Sequence, residues 1–342
     1  KDGAAERGVH HKHGNTMKKE SLRELASQKG FLIGCAVEPH QLHEDPACRE
    51  IVIREFNCLT AENCMKFEAL QPERGVFTFD VADRLLDFAA EHQMAVRGHT
   101  LVWHNALPGW VKDRPLGRAE AMDILQQHIE TVVTHFKGRL TCWDVVNEVI
   151  ADGYPGYRLK NNVWYRSIGE DYLELAFRWA SEAEPGLPLF YNDYDLQIGG
   201  PKFERTVEMI RMLQARHAPI HGLGFQFHTM PPDAPGREPF LALLNRVKHE
   251  LGLVTHVTEM GINLSAGLAE GELDQQAEVY RNVLSAALAS GNCPALIVWG
   301  VCDKYTWVRR FTGGRRDHPL LFDKAYQPKL AYFALCDVLR SA

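Results

Sequence analysis

No apolar run in the chain approaches the roughly 18 residues that a helix needs to cross a bilayer, so no membrane span is expected. A basic stretch is also missing. The 38 Lys and Arg stand against 44 Asp and Glu, giving a net charge of −6, and phosphate neutralisation would require clustered cations. Nucleic acid and membrane are therefore not expected partners, whereas a neutral polymer is compatible with this charge. The eight cysteines (Cys35, Cys48, Cys58, Cys64, Cys142, Cys293, Cys302 and Cys336) show no CxxC spacing. Several sit in strand-like runs where cysteine serves as a small buried apolar residue, so free thiols and a reducing compartment are expected. No internal repeat or low-complexity linker divides the 342 residues, and one domain is the expectation.

The first residues are polar and carry His10, His11 and His13. Residues 1–17 read as a flexible or added segment rather than as a metal-binding tract. The segment after Met17 is basic and amphipathic with no signal-like apolar core, which points to a cytoplasmic protein unless a signal has been removed. The run Leu32-Ile33-Gly34-Cys35 has the outline of a lipoprotein cleavage box. Charged Arg23, Glu24 and Lys29 lie just upstream, and a buried strand is the better reading.

Eight short apolar runs, each ending in polar residues, are present at 31–37, 56–63, 94–103, 142–149, 189–194, 222–228, 254–260 and 295–303. Between and after them lie stretches of helical period at 81–92, 118–136, 163–182, 202–217, 239–251, 273–290 and 328–339, with a Pro-rich loop at 231–235. Eightfold alternation of this kind predicts a single (β/α)8 TIM barrel over 18–342 rather than a doubly wound sheet. In such a barrel the polar residue that closes each strand is where chemistry belongs.

Two of these closing residues are glutamates. The fourth run ends Trp143-Asp144-Val145-Val146-Asn147-Glu148 and the seventh His256-Val257-Thr258-Glu259. Carboxyl groups facing each other across a barrel mouth suit hydrolysis of a glycosidic bond, one protonating the leaving oxygen and one attacking the anomeric carbon. A metal-dependent hydrolase fits less well, because His99 and His104 are an odd number of residues apart on an extended segment and should face opposite ways. No metal and no cofactor are expected.

The chain resembles glycoside hydrolase family 10, the barrel endo-β-1,4-xylanases, through Thr60-Ala61-Glu62-Asn63-Cys64-Met65-Lys66, Arg97-Gly98-His99-Thr100-Leu101-Val102-Trp103-His104, the run ending in Glu148, Thr258-Glu259, and Trp299-Gly300-Val301. The resemblance implies a retaining mechanism on xylan or xylo-oligosaccharides, with Glu148 as acid/base and Glu259 as nucleophile about 5–5.5 Å apart; a related retaining glycosidase on another β-1,4 glycan and a low-activity carbohydrate-binding barrel are the alternative readings. It implies that Asn147 bonds the sugar 2-hydroxyl. It also implies substrate contacts from Glu62, Asn63, Lys66, His99, Trp103, Gln226, His228, Trp299 and Trp307, with Tyr194 on the leaving-group side. Hydrogen-bonding groups interleaved with aromatic platforms are what sugars, with their hydroxyls and flat C–H faces, require. Asp193 reads equally well as structural.

Two positions depart from the family pattern. Two residues after the nucleophile the family has an acidic partner for the strand-six histidine, and here stands Gly261. Where the family has a Gln contacting the sugar next to the scissile bond, this chain has Ala106, a loss of about 1 kcal/mol in that subsite and an expected leaning towards short chains. Arg309, Arg310, Arg315 and Arg316 add charge nearby and read as a solvated loop. The sequence assigns no oligomeric state.

Overall fold

The computed structural model describes residues 20–153 and 156–342, so His10, His11, His13 and the rest of 1–17 lie outside the described residues. Eight parallel strands run in chain order: β1 (Leu32–Val37), β2 (Cys58–Ala61), β3 (Ala95–Val102), β4 (Cys142–Asn147), β5 (Leu189–Asp193), β6 (Gly222–Phe225), β7 (Val254–Ile262) and β8 (Ala295–Val298). Each pairs with the next, and β8 pairs with β1 through Leu32↔Ala295. The sheet is closed, as the eightfold alternation predicts. Nearly every strand residue is buried, because side chains face either the barrel interior or the surrounding helices. The run Leu32-Ile33-Gly34-Cys35 is thereby the first barrel strand, and all eight cysteines are buried and unpaired.

The surrounding helices show why the period of the sequence is readable. Asp80–Glu91 buries Ala82, Leu85, Leu86 and Ala89, a stripe at i, i+3, i+4 and i+7 laid against the sheet. At the chain ends, Leu22–Gln28 begins with a capping box between Ser21 and Glu24. Its first amide donates to Glu55 Oε2 at 2.9 Å, and the same carboxylate accepts from the Tyr332 hydroxyl at 3.0 Å. One buried carboxylate thus ties the first helix to Pro46–Glu55 and to the final helix Leu330–Ser341.

The boundary differences that matter for the site and the fold have local causes. The second, sixth and eighth strands end earlier than expected, at Ala61, Phe225 and Val298, because the chain leaves the sheet to form the barrel mouth. Glu62, Gln226 and Trp299 therefore stand just beyond the ladder. The expected helix 163–182 is two helices, Val163–Ile168 and Tyr172–Ala183, broken at Gly169 with φ +85°. Pro46–Glu55 is absent from the periodic stretches, although its Asp45 N-cap and Pro46 at the first position are a recognisable start signal.

Candidate active site

The ends of β4, β5 and β6 share one backbone device. Just after each strand stands a residue other than glycine with left-handed φ: Glu148 at +56°, Asp195 at +58° and Phe227 at +67°. Such a conformation costs about 1–2 kcal/mol and persists only where surrounding contacts impose it. At Glu148 the amide donates to Asn192 O at 2.9 Å, which anchors the turn and directs the side chain into the mouth. Its Oε2 accepts from Trp103 Nε1 and its Oε1 from Gln226 Nε2, both at 2.9 Å. Both donors are neutral.

Glu259, on β7, is only 5% exposed. Asn192 Nδ2 donates to its Oε1 at 2.8 Å, and His228 Nε2 lies 3.0 Å from its Oε2. Burial opposes ionisation of this carboxyl, but the His228 contact, the charges of His99 and His228 and the Asn192 amide outweigh it, and its pKa is lowered below the ordinary value. Asn192 is in turn fixed by Thr258 Oγ1, which donates to its Oδ1 at 2.6 Å. Gly224 makes room for it, since a Cβ there would stand 2.2 Å from Asn192 Oδ1. Asn147 packs alongside, its amide 2.9 Å from that of Asn192 and 3.3 Å from that of Gln226.

Behind this pair a charged chain runs into the barrel interior. His99 Nδ1 lies 3.0 Å from Asp144 Oδ2, and Asp144 is hydrogen-bonded through its other oxygen to Arg97. Arg97 stacks over the Phe190 ring and approaches His256 Nδ1 at 2.8 Å. A buried guanidinium with an anion and an aromatic face satisfies the rule that interior charges be paired.

A cleft of about 650 Å3 gathers every residue expected from the sequence: Glu62, Asn63, Lys66, His99, Trp103, Asn147, Glu148, Tyr194, Gln226, His228, Glu259, Trp299 and Trp307. Lys66 Nζ donates to Asn63 Oδ1 at 2.9 Å and sits over the Trp103 ring. Burial first, then the charge of Glu38, raises the Glu62 carboxyl to about 7. Trp299 and Trp307 wall one side, with the His228 ring edge-on to Trp307 at 5.2 Å. Opposite, the Tyr194 hydroxyl bonds Asp152 and accepts from Lys160 Nζ at 2.9 Å. Asp193 is fully buried and held by Tyr191, the Tyr194 amide and Lys202, which makes it structural.

The cleft also includes His104, Asn105, Lys160, Asp195 and Phe311, which the sequence reading does not assign to it. His104 and Asp195 directly adjoin the assigned Trp103 and Tyr194 in the chain, Asn105 follows two positions after Trp103, and that proximity is the available signal. Phe311 stands one helical turn after Trp307, with ring centroids 5.0 Å apart. For Lys160 no sequence signal exists. The expectation that His99 and His104 face opposite ways is not met: β3 ends at Val102, the chain bends, and strand alternation no longer applies.

Gly261 lies beside His228 as the sequence suggests, and a Cβ placed there would meet His228 Nδ1 at 3.7 Å and Pro319 Cβ at 3.6 Å. Ala106 does not line the cleft. It holds φ +51°, and its carbonyl accepts from the Glu68 amide at 2.9 Å. Arg309, Arg310 and Arg315 are exposed outside the cleft, Arg309 lying 3.7 Å from Asp317.

Comparison with known proteins agrees with this fold. Residues 21–338 match the model of glycosyl hydrolase family 10. Endo-1,4-beta-xylanase B of Thermotoga neapolitana is 40% identical over 323 residues, covering 93% of this chain and 91% of that protein. Among solved structures, native xylanase 10B from Thermotoga maritima superposes with a TM-score of 0.89 at 40% identity, over 94% of this chain and 98% of the other. Xylanase 10B from Thermotoga petrophila RKU-1, crystallised with xylobiose, gives 0.90 at 39% identity over 95% and 98%.

Proposed function

The chain belongs to glycosyl hydrolase family 10, and from that premise we propose that it is an endo-β-1,4-xylanase in which Glu259 is the nucleophile and Glu148 the acid/base. The observation that carries the assignment is the unequal treatment of two carboxyl groups in one cleft. Glu259 is bonded by His228 and Asn192 and favoured as an anion, whereas Glu148 accepts, among the described residues, from the uncharged Trp103 and Gln226. In the first step a Glu259 oxygen attacks the anomeric carbon while Glu148 gives its proton to the glycosidic oxygen, and the shortened glycan departs as an alcohol. In the second, Glu148 takes a proton from water, the water oxygen attacks the same carbon, and the bond to Glu259 breaks. Two inversions give net retention.

Asn147, next to the acid, suits the sugar 2-hydroxyl. Glu62, Asn63 and Lys66 supply further hydrogen bonds, and Trp299 and Trp307 a stacking wall, for the sugars on the nucleophile's side. The relative crystallised with xylobiose supports a xylose-based substrate. We place the action on short xylo-oligosaccharides in a reducing compartment. Eight unpaired buried cysteines support the compartment, and the withdrawal of Ala106 from the cleft supports the preference for short chains. The test is product analysis on β-1,4-xylan and a xylo-oligosaccharide series with the parent chain, Glu148→Ala and Glu259→Ala. Xylose-based products lost in both variants are expected; a parent chain inert on all of these substrates would sink the reading.

A further inference from the structure

After Asp303 the chain leaves the barrel and runs through the segment 304–316, of which Val308 alone is buried. With so little apolar burial, such a segment falls at the low end of local stability, and polar anchors decide where it rests. Yet it carries Trp307 and Phe311 into the cleft, where the Trp307 ring lies 5.2 Å from the ring of His228, the partner of Glu259. Its far end is pinned by an antiparallel pairing of Arg316 with Ser265 and by the Arg315 carbonyl, which accepts from the Ala266 amide at 3.2 Å. Its near end is pinned by one carboxylate from the opposite end of the chain, Asp45, which does not itself line the cleft.

Asp45 caps the helix Pro46–Glu55, and for that its Oδ1 suffices, accepting from the Cys48 amide at 3.2 Å. Its Oδ2 has a different set of partners: Lys304 Nζ at 2.7 Å, the Tyr305 hydroxyl at 2.6 Å and the Tyr326 hydroxyl all donate to it. The nearest of these in the chain is 259 residues away, so helix capping does not account for them. Burial opposes ionisation of Asp45, yet these donors outweigh it and hold the carboxyl below its ordinary range. Hydrogen bonds to an ionised acceptor are stronger than those between neutral groups. Tyr305 lies two residues before Trp307, so the bond from its hydroxyl fixes the stretch of backbone from which the indole projects.

We propose that Asp45 is a positioning residue for the aromatic wall: it keeps the segment 304–316, and with it Trp307, in the arrangement that receives the sugar. The inference rests on the xylanase reading above. When the anchor is loosened, a smaller fraction of molecules holds Trp307 in place before substrate arrives; apparent affinity falls by that fraction, and saturating substrate restores it. KM should therefore rise while kcat holds. The test measures both on a xylo-oligosaccharide series. Asp45→Asn keeps an oxygen for the helix cap, since asparagine caps as well as aspartate, but turns an amide towards three donors. Its KM should rise about threefold to thirtyfold with kcat within about twofold of the parent value. Lys304→Met combined with Tyr326→Phe removes two donors without touching the cap, and should move KM the same way by a smaller factor. In a Trp307→Ala background Asp45→Asn should add little, because both changes act through one contact. If Asp45→Asn does not fold, the double variant decides. An unchanged KM in these variants, or an undiminished further rise in the Trp307→Ala background, would overturn the proposal. So would a fall in kcat and Tm with KM unchanged, which assigns Asp45 to helix capping alone. A parent chain inert on every xylo-oligosaccharide would instead sink the xylanase reading, and this one with it.

Discussion

Glu259 sits at the end of β7, 5% exposed, held by an amide and a histidine and backed by the His99–Asp144–Arg97 chain. Glu148 sits at the end of β4, half-buried on a left-handed turn, and among the described residues its side chain is hydrogen-bonded by an indole and an amide. The residue type and the position at a strand mouth are the same; the environment differs. A carboxyl held by a histidine and an amide is set to stay charged, whereas the hydrogen bonds to Glu148 come from neutral groups. On the proposed assignment the shell around the two carboxyl groups divides the chemistry, and that shell is where the comparison can be broken.

The largest effect separates the two roles. Glu259→Ala should reduce kcat/KM by about 10^4-fold or more on every substrate, because no bond to the anomeric carbon can form. Glu148→Ala should cost about 10^2- to 10^4-fold on xylan yet far less in the first step on aryl xylosides whose leaving group needs no proton. Equal losses on both substrate types in both variants would remove the assignment. The next effect comes from Asn192, whose amide serves Glu259 while its carbonyl oxygen accepts from Thr258. Asn192→Ala leaves Glu259 Oε1 without its donor, and kcat/KM should fall about 10- to 100-fold, the worth of one hydrogen bond to a buried charge. The acid limb of the pH–rate curve should also move upward, since this amide is among the groups that lower the pKa of Glu259. A fall in rate with no movement of that limb would confine Asn192 to packing.

Asn192 also shows where the sequence stops being legible. The eight strands and their polar mouths can be read because a closed barrel buries nearly every strand residue and so leaves short apolar runs separated by amphipathic helices. Of the thirteen expected cleft residues, all but Trp307 come from those mouths and from the motifs on them. Asn192 escapes such a reading because an asparagine at a strand end commonly just turns the chain; its role depends on the space left by Gly224 on the neighbouring strand, a relation across β5 and β6 that one strand's pattern does not carry. Lys160 reaches the cleft from the irregular stretch between β4 and the helix Val163–Ile168, and no periodicity marks such a residue. His104 is misplaced for the opposite reason, because strand alternation is extended past the point where the strand ends.

The smallest effect tests what Glu259's environment lacks. His228 presents Nε2 to Glu259, while at its Nδ1 side stands Gly261, where a Cβ would make ordinary van der Waals contact at 3.7 Å. φ at this glycine lies outside the left-handed region, so an aspartate is accommodated without backbone strain and places an anion beside the ring. Gly261→Asp should hold His228 protonated to higher pH than in the parent chain, and a charged His228 favours ionised Glu259. The acid limb of the pH–rate curve should then shift to lower pH by up to about one unit, with little change in the plateau rate. If Gly261→Asp and the parent chain have superimposable pH–rate curves, His228 does not transmit charge to the nucleophile, and the low pKa of Glu259 must come from Asn192 and His99.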